Sequence, residues 1–136
     1  MFIISMPQLE NNWKNKTLET LENEKWGEPN FDSYLVTRTH QIRKIPLNQI
    51  TLDDISMMLR QNFSLNFIVP LAIDNLDKTK TPGEFDRKEI LETLLEKVKM
   101  EFWQNNKHYF NQIKEVISSD WQTYHFDLSA YNEVGL

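Results

Sequence analysis

No cysteine is present, so any chemistry in this 136-residue chain has to come from its histidines, its carboxylates or its hydroxyls. A thiolate nucleophile, a thiolate metal site and a disulfide framework are excluded at once. The 3 histidines, His40, His108 and His125, are far apart in sequence. None lies three or four residues from another, the spacing that turns two imidazoles toward one metal on a helix face. Surface or core-edge positions are expected for them. Asp53 and Asp54 come nearest to a paired acid and base, but sequence neighbours point to different sides of a helix. Their place in a predicted first turn explains both as partners of the helix dipole. Glu22 and Glu24 read the same way. Glycines stand only at 27, 83 and 135, which cannot form a phosphate-cradling loop, and no serine has Gly-x-Ser-x-Gly surroundings. These residues predict no catalysis, no cofactor and no metal. A small hydrolase using Asp53, Asp54 or Glu84, and an adaptor or regulatory subunit, are the alternatives.

Charge clusters offer binding in place of chemistry. Arg38, Arg43 and Lys44 form one basic group and Lys78 and Lys80 another, read as a solvated helix end and a solvated loop. The opposite sign is denser: Glu19, Glu22, Glu24, Glu28 and Asp32 face a single Lys25, with Trp26 and Phe31 interleaved. Carboxylates among aromatics suit a protein-binding face, since aromatics anchor interfaces and charge steers a basic partner. Trp26 could equally plug a core beneath its turn.

The net charge of -5 argues against nucleic acid as a main ligand, because phosphate contacts need clustered Lys and Arg. Hydrophobic residues at 40% and aromatics at 12% are globular composition. The length suits one domain. With 3 glycines and 5 prolines there is too little turn chemistry for many short strands, so helices are expected. The apolar opening Met1-Phe2-Ile3-Ile4 lacks a basic start and a cleavage site, and no run is long enough to span a membrane. A cytoplasmic protein with no membrane partner is expected.

Helix signals follow in order. Asn15 or Thr17 opens a short helix ending near Asn23, and Gly27 and Pro29 break the chain after it. Asp32 or Ser33 caps a second, reaching Lys44, with Tyr34, Leu35, Arg38, Ile42 and Ile45 as its stripe. Thr51-Leu52-Asp53-Asp54 starts a third that ends near Asn62. Ser64 caps a fourth through Leu76, with Pro70 at its start or at a kink. Residues 77–84 are the clearest loop. Asp86 with Glu89 resembles a capping box before Ile90, Leu91, Leu94, Leu95 and Val98. Residues 101–118 carry another stripe, with a turn near 104–107. The pattern predicts an all-α fold, a compact bundle of five to six short helices with an irregular C-terminal tail. Residues 1–14 read as an extension, 15–118 as the helical domain and 119–136 as the tail, docked as an arm or a short strand.

The run Asn15-Lys16-Thr17-Leu18-Glu19, Leu21-Glu22, Trp26-Gly27-Glu28-Pro29 and Asp32-Ser33-Tyr34-Leu35-Val36 resembles the start of the contact-dependent growth inhibition (CDI) immunity proteins. The resemblance continues through Arg43-Lys44-Ile45-Pro46-Leu47, Leu52-Asp53-Asp54, Gln61-Asn62, Val69-Pro70-Leu71-Ala72 and Glu101-Phe102-Trp103, covering about residues 15–106. It implies a cytoplasmic helical antitoxin that binds, one to one, the C-terminal toxin domain delivered by a neighbouring cell. Many such toxins are nucleases, whose basic surfaces an acidic antitoxin would meet quickly. In this chain the loop after the fourth helix is shortened, Gly83-Glu84-Phe85-Asp86 running straight into Arg87-Lys88-Glu89. The expected toxin contacts are Glu19, Glu22, Glu24, Trp26, Glu28 and Asp32, with Glu84 and Asp86 of the 77–89 loop and the tail as rival surfaces. Those of the first group that belong to the shared motif point instead to a role in the fold.

Overall fold

The computed structural model describes residues 9, 11–29, 33–77, 84–119 and 126–136, with the backbone alone at 84 and 85. Among the described residues there are eight α-helices and no strand, so the all-α reading holds. Five helices have nine residues or more, and the other three are short connectors or ends. The chain divides into two units, Met1–Met57 and Met58–Leu136.

In the first unit a 3-10 turn at Trp13–Asn15 leads into α1 (Leu18–Glu22). Thr17 caps α1, its hydroxyl accepting from the Thr20 amide at 3.2 Å, and satisfies one of the free first-turn donors. The Glu19 amide, another such donor, bonds the Arg43 carbonyl at 3.1 Å. Asn23 closes α1 in the left-handed region (φ 52°), which asparagine tolerates better than most residues. Gly27, at φ 76°, makes the break after it. Ser33 caps α2 (Tyr34–Ile42), accepting from the Val36 amide at 3.2 Å. A second 3-10 turn, Leu47–Gln49, packs on the first: Leu47 N donates to the Lys16 carbonyl and Asn48 Nδ2 to Asn15 Oδ1. α3 (Leu52–Gln61) opens on a reciprocal capping box. The Asp54 amide donates to the Thr51 hydroxyl at 3.1 Å and the Thr51 amide to the Asp54 carboxylate at 3.0 Å. Leu18, Ile42, Leu47 and Ile55 are buried in this unit, each contributing about 1.5–3 kcal/mol.

The second unit holds α4 (Leu65–Asp74), α5 (Glu84–Lys97), α6 (Met100–Asn105), α7 (Lys107–Ser119) and α8 (Ser129–Glu133). α7 packs on α4 and α6. The stripe Ile90, Leu91, Leu94, Leu95 and Val98 is buried throughout, and Phe102, Trp103, Phe110 and Ile113 extend the apolar interior. Asn62, at φ 55°, ties two connections together: its Nδ2 donates to the Lys97 carbonyl at 3.0 Å and its Oδ1 accepts from the Lys99 amide at 2.9 Å.

Two local expectations change, for Ser64 and Asp86, and of the two places expected for Pro70 the helix start is removed. Ser64 opens α4 through its carbonyl, which accepts from Phe67 and Ile68; its φ of 52° leaves the hydroxyl out of the cap. Pro70 lies inside α4, where it denies a donor to the carbonyl of Asn66, an exposed residue that water can satisfy. α5 begins at Glu84, so Asp86 is a first-turn residue and not the cap, and the acidic start Glu84-Phe85-Asp86 lies where the dipole favours carboxylates. Residues 78–83, most of the expected loop, lie outside the described residues, as do Trp121, Tyr124 and His125. The described part of the tail, 126–136, carries α8 where an arm or short strand was expected. Tyr131 stacks on Phe110 at 4.8 Å between centroids and its hydroxyl donates to the Leu95 carbonyl. Lys114 Nζ donates to the Leu136 carbonyl at 2.6 Å.

Candidate functional site

The first unit gathers most of the residues expected to meet a partner. Arg43 follows the last turn of α2 and is 1% exposed, with its guanidinium turned toward the loop after α1. It is paired with the Glu22 carboxylate at the end of α1, and its Nη2 donates to the Glu24 carbonyl at 2.8 Å. The guanidinium carbon lies 4.5 Å from the centre of the Trp26 ring, a cation–π contact. Trp26 Nε1 donates to the Glu24 carboxylate at 3.0 Å, and the His40 ring meets the indole edge-on at 5.2 Å. His40 is itself fixed by a 2.9 Å contact from Nδ1 to the Val36 carbonyl. Glu22, Glu24 and Trp26 are thus assembled around one buried cation.

A second ion pair joins α2 to the start of α3. Arg38 reaches Asp54 with two parallel bonds, Nε at 2.8 Å and Nη2 at 2.7 Å, and its Nη1 donates to Gln41 Oε1 at 3.3 Å. Burial alone would push the Asp54 carboxyl up. The bonds from Arg38 and Thr51 outweigh it and hold the group below its ordinary value of 3.8. Arg38 is raised in turn, first by its bond to Asp54. Asp54 is 3% exposed with both oxygens occupied, whereas Asp53 is exposed. The two therefore do not form the paired acid and base that their adjacency suggested.

The other expected contacts are more scattered. Glu19 and Asp86 are half-buried and Glu28 is exposed. Asp32 and the Glu84 side chain lie outside the described residues. In the second unit, a charged groove of about 350 Å³ runs along α5, lined by Arg60, Lys88, Glu89, Glu92, Thr93, Glu96 and Lys97. Its ion pairs, Arg60–Glu89 and Lys88–Glu92, are long, both 3.9 Å, and exposed. Such pairs are worth about 0–1 kcal/mol. Among the described residues no group of three or more His, Asp or Glu is placed to hold a metal, and no helix is long and apolar enough to cross a membrane.

Two readings of α2 are overturned. Arg43 was expected at a solvated helix end; Lys44 is exposed, but Arg43 is buried. Tyr34 and Leu35 were expected to lead the buried stripe; they are 73% and 39% exposed. The buried stripe is Thr39, Ile42 and Arg43, at i, i+3 and i+4. Its helical spacing was present in the sequence, with the arginine's charge concealing its membership.

Residues 20–113, more than half of the chain, match the family of CDI immunity proteins. No curated protein and no solved structure matches the chain.

Proposed function

Because this chain belongs to the family of CDI immunity proteins, we propose that it acts in the cytoplasm as an antitoxin, binding the C-terminal toxin domain of its own system one to one and performing no reaction itself. Family membership carries this reading. The net charge of -5 supports a basic toxin domain of the nuclease class, which an acidic protein meets faster than diffusion without steering would allow. Nucleic acid and membranes are not its partners. The acidic positions have two duties. Glu22 and Trp26 hold the loop around Arg43, and Glu24 and Glu28, which are exposed, steer the approach together with Glu19, Asp32, Glu84 and Asp86.

The test is co-expression with the toxin domain encoded immediately upstream, scored by growth rescue, with binding measured across ionic strength. Rescue is expected, with association rates falling about tenfold or more between low and high salt. A toxin domain that the chain neither binds nor neutralises would overturn the reading.

A further inference from the structure

We propose that residues 126–136 form a strap that opens from the body of the second unit as one piece while α5 and α7 stay folded, with Tyr131 as its latch. Short-range bonds knit the strap together. The Asp127 carboxylate accepts from the Ser129 amide at 3.0 Å, and the Leu128 carbonyl accepts from the Tyr131 and Asn132 amides at 3.0 and 3.1 Å. At the far end Leu136 N donates to the Tyr131 carbonyl at 2.9 Å and Gly135 N to the Asn132 carbonyl at 3.1 Å, with Gly135 at φ 87°. One of these two bonds is nested inside the other, the glycine-closed helix end that turns the chain back on itself. Bonds so interlocked form and break together.

The hold of the strap on the body is thin by comparison. Phe126, Leu128, Tyr131 and Leu136 are half-buried and no residue of α8 is buried, whereas Leu91 and Leu94 of α5 and Phe110 and Ile113 of α7 are 0% exposed. Apolar stabilisation follows the area removed from water, so the strap has less of it than either helix. A helix of five residues does not stand alone in water, so leaving the body also melts it. Tyr131 is the latch because it meets two helices at once. Its ring stacks on Phe110 of α7, and its hydroxyl donates to the Leu95 carbonyl of α5. That carbonyl lies in the last turn of α5, and the amide four residues on, Lys99, donates to Asn62 Oδ1. Tyr131 therefore supplies the donor that the helix end lacks. Lys114 of α7 holds the other end of the strap through the Leu136 carbonyl at 2.6 Å. Opening hands the Leu95 carbonyl to water and uncovers the side of Phe110 on which Tyr131 stacks.

Native-state hydrogen exchange of the full chain, read residue by residue by NMR, tests this. The amides of Tyr131, Asn132, Val134, Gly135 and Leu136 are expected to share one opening constant, at least about a hundredfold larger than that of the Leu94 and Ile113 amides. Low urea should speed exchange at Leu94 and Ile113 and leave the strap nearly unaffected, because its opening exposes little surface. Tyr131→Phe keeps the ring and removes the hydroxyl, raising the strap's opening constant about fivefold, the worth of one hydrogen bond. Gly135→Ala raises it about tenfold through backbone strain alone, since the added Cβ meets nothing within 4 Å. Val134→Ala, at an exposed position, changes it less than about twofold. Strap amides that exchange only as fast as Leu94 and Ile113, or that show no protection in the unmutated chain, overturn the proposal. Unequal constants among them overturn opening as one piece, and an unchanged constant in Tyr131→Phe overturns the latch.

Discussion

Removing the carboxylate of Glu22 should cost more than removing the arginine it pairs with. The Arg43 side chain is 2% exposed and that of Glu22 is 25% exposed. In Glu22→Gln, Arg43 stays buried with a weaker acceptor. Breaking a buried pair from one side costs about 3–5 kcal/mol. The partial exposure of Glu22 and the remaining Glu24 carbonyl and Trp26 contacts reduce this to about 2–3 kcal/mol. In Arg43→Met the stranded group is Glu22, which can turn its oxygens to water, while the Met side chain keeps most of the packing under Trp26. The loss is then the cation–π contact and a hydrogen bond, about 1 kcal/mol. Urea unfolding, followed by tryptophan fluorescence and circular dichroism, reads the difference. At a slope of about 1–3 kcal/mol per molar, Glu22→Gln lowers the midpoint by roughly 1–2 M with the slope unchanged. The double variant Glu22→Gln/Arg43→Met should be no less stable than Arg43→Met alone, because the stranded cation is gone. If Arg43→Met costs as much as Glu22→Gln, Arg43 stabilises through its own bonds and the desolvation reasoning is refuted.

Three more outcomes are expected. Asp54→Asn destabilises by about 2 kcal/mol at neutral pH, since it weakens a two-bond charge pair. With its folded-state pKa below 3.8, the contribution of Asp54 is fully present above that value and is lost as the pH falls through the lower one. The variant's stability should therefore fall less steeply in acid, and equal acid slopes would count against the pairing. Burial lowers His108 below 6.5 and raises the Tyr109 and Tyr131 phenols above 10.0, with Glu96 adding to the latter. The unfolded chain binds the imidazole proton first below pH 6.5 and releases the phenol protons first above pH 10.0, so the contribution of these three groups to stability is fullest between those limits, and His108→Gln lessens the loss on the acid side. Asn62→Ala costs about 2 kcal/mol in chemical denaturation through two lost hydrogen bonds and a left-handed backbone that alanine resists. Asn62→Gly should recover only the backbone part, and full recovery would show that the two bonds contribute nothing.

Most helices were legible because their start signals are local. Thr17, Ser33 and Thr51 each cap the helix expected of them, since a side-chain oxygen and an amide three residues on need nothing from the rest of the chain. The same holds for the α5 stripe, whose spacing alone dictates one apolar face. Where local rules conflicted with context, context prevailed. Ser64 took a left-handed backbone in place of a side-chain cap, and Pro70 settled inside α4 because the continuous apolar pattern around it outweighs one lost hydrogen bond. α8 showed no firm period beforehand; its anchors are long-range, Tyr131 on Phe110 and Leu95 and Lys114 on Leu136.

By itself the sequence determined the fold class, the absence of cysteine chemistry, the acidic balance and the family resemblance, all of which depend on residue types and short spacings. Only the tertiary structure decided what the charges do. It buried Arg43 among Glu22, Glu24 and Trp26 and tied Asp54 to Arg38, leaving Asp53 as the exposed carboxylate of the pair. A charge is read from sequence as solvated because desolvation is costly. Whether a partner meets that cost depends on residues 16 to 21 positions away, which no local pattern specifies. The same long-range folding left Tyr34 in water and put Thr39, Ile42 and Arg43 inside.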